Sequence, residues 1–298
     1  MSSHDTYLGL VTFVLMLAVS GQMNGQGKGS GTKNAESFYA VLGDGKRIEP
    51  IGIAVNGKFP DEQNMTESSI PEIKARSTFS LIFGSSQIGI LTVTSKASGE
   101  CSGDSGEVSI RPPNSKLRGF VMALATDAKP RSNTTGFRRT PTAAERSSVE
   151  KLIRGMYAKE NVPAAASKVL RSHNLTAIDV DRDGKAELVG TYIATPKKDE
   201  RALLFFIAAR KKDGTYGFEY SEFERATPEN VMSGEVKDLD DGTVGNELLL
   251  DLYDVDGDGI AEIFTTGQAF EGRNFYVYGR TNGKWNKVFS SYNYRCGY

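Results

Sequence analysis

Two nine-residue acidic segments constrain this chain more than any other feature. The first is Asp179-Val180-Asp181-Arg182-Asp183-Gly184-Lys185-Ala186-Glu187 and the second is Asp254-Val255-Asp256-Gly257-Asp258-Gly259-Ile260-Ala261-Glu262. They lie 75 residues apart. Each leads into an apolar run, LVGTYIA or IFTTGQAF, and then into a hairpin signal around Asp213-Gly214 or Asn282-Gly283. Arg210 and Arg280 align at an offset of 70, so the first copy holds five extra residues, placed within TPKKDER. A repeat that spans loop, strands and hairpin predicts a duplicated β unit rather than a chance motif.

The spacing fits a hard cation. Ca²⁺ takes six to eight oxygens at about 2.3–2.6 Å, and carboxylates at positions one, three and five converge when such a loop curls. Gly184 and Gly259 at position six permit the sharp turn, the carbonyls of Lys185 and Ile260 at position seven add an oxygen, and Glu187 and Glu262 close the cage. Asp179, Asp181, Asp183 and Glu187 are thus expected to hold one ion, and Asp254, Asp256, Asp258 and Glu262 a second. Mg²⁺ prefers few carboxylates and several waters. The loops are not EF-hands, because position twelve is Gly190 or Thr265 instead of a bidentate Glu, and the flanks are strand-like. A third acidic stretch, Asp238-Leu239-Asp240-Asp241-Gly242, has Gly where the third carboxylate belongs and is read as a hairpin turn.

These loops resemble those of the FG-GAP and VCBS repeat family, whose Asp-rich loops join β-strands in propeller blades such as those of integrin α chains. The resemblance covers about 125 residues from Leu175 onward. It implies a calcium-stabilised, propeller-like binding module. Two repeats do not close a ring, since propellers take four or more blades. The expectation is a partial, sheet-like version or part of an oligomer.

Charge divides the chain. Residues 174–298 carry 22 acids and 15 bases, and residues 1–173 carry 15 acids and 21 bases, giving a net charge of −1 that excludes a general nucleic-acid binder. The 39% hydrophobic content supports a packed core, and 32 Gly with 27 Phe plus Tyr favours a turn-rich β protein. Residues 35–127 read as short strands, ESFYAVL, KRIEPIGIAV, STFSLIF, IGILTVTS, GEVSI and GFVMALAT, forming a small β-sandwich or barrel. Residues 128–141 are a basic, solvated linker containing Lys129, Arg131, Arg138 and Arg139. Residues 142–171 are a helical connector: Thr142 and Glu145 form a capping box, and Val149, Leu152, Ile153, Met156 and Tyr157 make one apolar stripe. Pro163 opens a second short helix through Leu170. Residues 172–298 form the antiparallel β domain with the two loops.

The apolar run LGLVTFVLMLAV at residues 8–19 is too short for an ordinary transmembrane helix and suits a signal peptide over 1–20, followed by a flexible leader over 21–34. A secreted, periplasmic or envelope location follows, with membrane attachment only if the segment stays uncleaved. In an oxidising compartment Cys101 and Cys296, the only cysteines, are expected to form a disulfide.

Catalytic signals are weak. Gly103-Asp104-Ser105-Gly106 echoes the surroundings of a serine-protease nucleophile, but the only upstream histidine is His4 in the leader, so SGDSGE is read as a turn. His173 is read as a solvated or capping residue at a helix end. The last 29 residues hold nine aromatics, with Tyr276 and Tyr278 on one strand face and Phe275 and Val277 on the other. One face is core, and the other could meet sugar or protein. The sequence therefore predicts a mainly β, exported, non-enzymatic binding or adhesion module that holds two Ca²⁺ and meets an unknown protein or glycan. The alternatives are a carboxylate-based extracytoplasmic hydrolase on polysaccharide or ester, and a structural envelope protein.

Overall fold

Strand after strand in this chain is apolar on both faces, and the architecture follows from covering each face. The computed structural model describes residues 34–97, 103–112, 117, 122–129, 137–241 and 244–296. The expected signal peptide, the flexible leader, Arg131 and Cys101 lie outside them. No helix among the described residues is long and apolar enough to cross a membrane.

The protein is mainly β, with antiparallel sheets and a short helical connector, as the composition and turn chemistry predict. Six strands close a barrel: β1 (Ala35–Leu42), β2 (Arg47–Val55), β3 (Thr78–Phe83), β4 (Ser86–Lys96), β5 (Gly106–Arg111) and β6 (Ala123–Thr126), in the order β1-β2-β5-β4-β3-β6. On β1 the alternation separates Tyr39 and Val41, which fill the barrel with Leu81, Leu91 and Val93, from Phe38, Ala40 and Leu42, which face outward. Gly103 to Ser105 lead from β4 into β5, consistent with the turn reading of SGDSGE.

The second half forms two sheets. The strands β8 (Arg171–Asp179), β9 (Glu187–Lys197), β10 (Glu200–Arg210) and β11 (Tyr216–Ala226) run as a meander. A short β7 (Phe137–Arg139) is added beside β8 as a fifth strand. The second sheet is the meander β12 (Glu247–Tyr253), β13 (Glu262–Ala269), β14 (Gly272–Thr281) and β15 (Lys284–Tyr294). The five extra residues of the first copy lengthen its β9–β10 hairpin, whose pairing runs from Leu188 with Ala208 to Lys197 with Glu200.

The layers stack barrel, four-stranded sheet, five-stranded sheet, helix. Phe264, Phe275, Val277 and Phe289 of the four-stranded sheet pack on the outward face of β1. On the other side of the same strands, Ile263, Tyr278 and Trp285 pack on Ile178, Val189, Phe205 and Ile207 of the five-stranded sheet. Both faces of β14 are thus core, so Tyr278 is buried and not a presented aromatic surface. The far side of the five-stranded sheet, with Leu188, Tyr192, Leu204 and Phe206, is covered by α1 (Ala143–Lys159) through Val149, Ile153 and Tyr157. The Tyr157 hydroxyl donates to the carbonyls of Tyr192 (3.1 Å) and Ala202 (3.2 Å). The predicted capping box is formed, and α2 (Ala164–Lys168) follows with Pro163 as its N-cap rather than its first residue.

Three local expectations are corrected. The basic segment before α1 is not wholly solvated: the Arg138 side chain, in β7, is only 11% exposed, and its guanidinium donates to the carbonyls of Met122 (3.0 Å) and Leu250 (2.6 Å) and lies 3.8 Å from the fully buried Asp251. The stretch around Asp240 is a 3-10 turn over Val236–Asp241, not a hairpin. Arg201 grips Asp240 with two bonds (2.7 and 2.8 Å) and Arg171 adds a third (2.7 Å), which holds the Asp240 carboxyl at about 2. His173 lies within β8 and is half-buried, not at a helix end.

Asp251 also accepts from the N–H groups of Gly84 and Leu252, each at 2.9 Å, so the pair Arg138–Asp251 joins barrel and both sheets. Removing one partner strands a buried charge. Asp251→Ala and Arg138→Met are each expected to lose about 3–5 kcal/mol in urea unfolding, with the double variant losing less than the sum. Glu145, bound bidentately by Arg139 at 2.6 Å, has its carboxyl lowered to about 2 chiefly by that guanidinium. A lowered folded value stabilises above the unfolded one. Wild type is therefore expected to exceed Glu145→Gln by about 1 kcal/mol above pH ~4.5, the gap closing as pH falls to ~2 in pH-dependent melts.

Candidate metal loops

The two acidic segments occupy the same place in the two sheets. Residues 179–187 join β8 to β9 and residues 254–262 join β12 to β13, the first and second strands of each meander. In the first loop one carboxylate oxygen from each of Asp179, Asp181 and Asp183 lies within 4.8 Å of the others, and in the second Asp254, Asp256 and Asp258 do the same. Oxygens arranged 2.3–2.6 Å from one ion stand no more than about 5 Å apart, so three oxygens at these separations could reach a single ion.

Backbone N–H groups shape both cages. Asp179 accepts from Gly184 (3.1 Å), Asp181 from Asp183 (3.3 Å) and Asp183 from Lys185 (2.7 Å). Asp254 accepts from Gly257 (2.7 Å) and Gly259 (3.2 Å), Asp256 from Asp258 (3.0 Å) and Asp258 from Ile260 (2.7 Å). Gly184 and Gly259 have φ of +79° and +90°, the left-handed turn that position six demands. Position four is also left-handed, and there Gly257 is relaxed at +81° while Arg182 takes φ +60°.

The position-nine glutamates stand beside the triads and not within them. Each is tied to the loop's second residue: Glu187 accepts from the Val180 N–H (3.2 Å) and Glu262 from the Val255 N–H (2.7 Å). Burial pushes the Glu187 carboxyl up to about 7 and the Glu262 carboxyl to about 8, and the neighbouring aspartates add to both shifts.

The loops differ in counter-charge. In the first, the Lys185 ammonium is 2.6 Å from Asp183, and Arg280, reaching over from the other sheet, is 3.6 Å from Asp181 and 3.0 Å from Glu219. Among the described residues, no basic side chain forms an ion pair with Asp254, Asp256 or Asp258. Two carboxylates at this separation repel by roughly 1 kcal/mol in water and about 3 kcal/mol at an effective dielectric near 20. The second triad carries that repulsion without a built-in cation.

The loops touch each other and the barrel. The Ala261 N–H donates to the Val180 carbonyl at 2.7 Å, bonding position eight of one loop to position two of the other. The Asn56-Gly57 turn of the barrel abuts the second loop, where a Cβ on Gly57 would stand 2.7 Å from the Asp256 Cα. Sequence reasoning identified the triads but not these supports. Arg280 was visible only as a repeat match, and nothing near Gly57 signals its contact, which joins residues almost 200 positions apart. No protein-family model, curated protein or solved structure matches the chain.

Gly57 has φ +77° and no space for a side chain. Gly57→Ala is expected to cost about 1–3 kcal/mol in urea unfolding and to move the amide NMR signals of Asp256 and Asp258. Gly43→Ala, left-handed at φ +58° but with nothing near its Cβ, is expected to cost about 1 kcal/mol and leave those signals in place.

Proposed function

We propose that this protein is a calcium-braced, non-enzymatic binding module that works outside the cytoplasm. The observation that carries the reading is the same aspartate triad, formed twice at the same strand junction of two stacked sheets. An ion in each loop would relieve the repulsion within the triad and lock the β8–β9 and β12–β13 junctions. The second loop, lacking an ion pair, is the stronger site in this reading, and Lys185 and Arg280 weaken the first.

The FG-GAP and VCBS resemblance agrees with this placement. In that reading each four-stranded meander is one blade, and the barrel and α1 cover the faces that neighbouring blades would cover. One groove suits a protein or glycan partner. Tyr292 and Tyr294 are exposed on β15 and line a groove of about 600 Å³ with Pro50, Ile70 and Pro71. Aromatic rings in a groove that also holds Glu67, Glu72, Lys96 and Asp104 suit contacts that are half apolar and half wet.

A disulfide between Cys101 and Cys296 belongs to the same reading. Gly103 and Asp104, just after Cys101, lie against residues just before Cys296: Asp104 N–H donates to Asn293 at 3.0 Å, and Asn293 donates back at 2.9 Å.

The test is a thermal melt of the whole protein in EDTA and in about 2 mM Ca²⁺. With Kd on the order of 10⁻⁴ M, each site adds roughly 1.8 kcal/mol at that concentration. The Tm is expected to rise with Ca²⁺, Asp256→Asn to remove more of the rise than Asp181→Asn, and Mg²⁺ to replace Ca²⁺ poorly. An unchanged Tm, with no calcium binding by calorimetry, overturns the reading.

A further inference from the structure

Away from the acidic loops, toward the other end of the strands, a cleft of about 210 Å³ opens between the two sheets. It is lined by Glu222 and Glu224 of β11, Asn246 and Glu247 at the start of β12, Tyr276 of β14 and Lys287 of β15. We propose that this cleft binds a small organic cation, an alkylammonium or alkylguanidinium group.

The walls offer acceptors in excess. Three carboxylates face one ammonium. Asn246 is fully buried, and its amide nitrogen is spent on the carbonyls of Leu239 (3.3 Å) and Val244 (3.0 Å), while its Oδ1 has no partner. A buried acceptor left without a donor is costly, and it leaves this wall of the cleft short of N–H donors. Glu247 is fixed by the Thr265 hydroxyl, and burial pushes its carboxyl up to about 7.

The Lys287 side chain marks the kind of group these walls accept. Its ammonium is 3.1 Å from Glu222 and 4.3 Å from the centre of the Tyr276 ring, a carboxylate and a π face acting on one cation. Glu222, Glu224 and Glu247 do not converge within 4.8 Å as the aspartate triads do, so the cleft is laid out for a cation larger than a metal ion. Its volume equals that of roughly seven waters, enough for a butyl chain and its charged head. Lys287 then acts as an internal competitor, and its removal frees the site.

Calorimetric titration of the whole protein with n-butylguanidinium chloride tests this, with n-butanol and glucose as neutral controls. Saturable binding with Kd on the order of 1 mM is expected. Glu222→Gln and Glu224→Gln are each expected to weaken it about tenfold, and Lys287→Met to tighten it several-fold, with melts confirming that each variant folds. The proposal is overturned if neither wild type nor Lys287→Met binds saturably, if either neutral control binds as well, or if the glutamine variants bind unchanged. Because the acidic loops lie elsewhere, binding is expected in EDTA as well as in Ca²⁺, so the two proposals fail separately.

Discussion

The structure depends on the need to cover two apolar faces on each of two sheets. A four-stranded meander with Phe264, Phe275 and Val277 on one side and Ile263 and Tyr278 on the other cannot end at solvent on either side. Stacking the two meanders covers one face of each. The remaining faces need different partners, and the chain supplies both: the outward side of the barrel on one sheet and the stripe of α1 on the other. This is why two meanders suffice here. Closed rings solve the same problem with copies of one unit, whereas this chain uses two unlike end pieces.

That arrangement gives the barrel and the four-stranded sheet one shared core. Gly52 shows how close the approach is, since a Cβ there would lie 2.5 Å from the Phe289 ring. Arg138 and Asp251 carry a polar contact through the same contact zone, and Gly84, at the β3–β4 turn, binds the same carboxylate. A buried ion pair adds little net stability, because desolvation offsets its attraction. A slip of either strand would leave both charges unpaired.

Much of this was legible. The strand runs of the first hundred residues, the capping box, the apolar helix stripe and the two hairpins after the loops are local signals, and each depends on residues within one turn or one pleat. What was not legible is contact between distant segments. Arg138 looks like any solvated linker arginine until Asp251, more than a hundred residues later, is placed beside it. Asp240 looks like a loop acid until Arg171 and Arg201 converge on it. Of the cleft acids, Glu222 and Glu224 share one face of β11, but nothing local links them to Glu247 on β12. The triads were the exception because their three ligands fall within five residues of chain.

The two loops, alike in sequence pattern, differ physically. Both copies keep the position-six glycine, because the left-handed turn there has no other low-cost solution. At position four the copies part: Gly257 relaxes the second loop, while Arg182 holds the first in a conformation that costs a non-glycine residue about 1–2 kcal/mol. The first loop also carries Lys185 and Arg280, two fixed positive charges beside its carboxylates. A loop with its own cations is held in shape without an ion, and one without them gains more from binding one. The bond from Ala261 to Val180 ties the backbones of the two loops together.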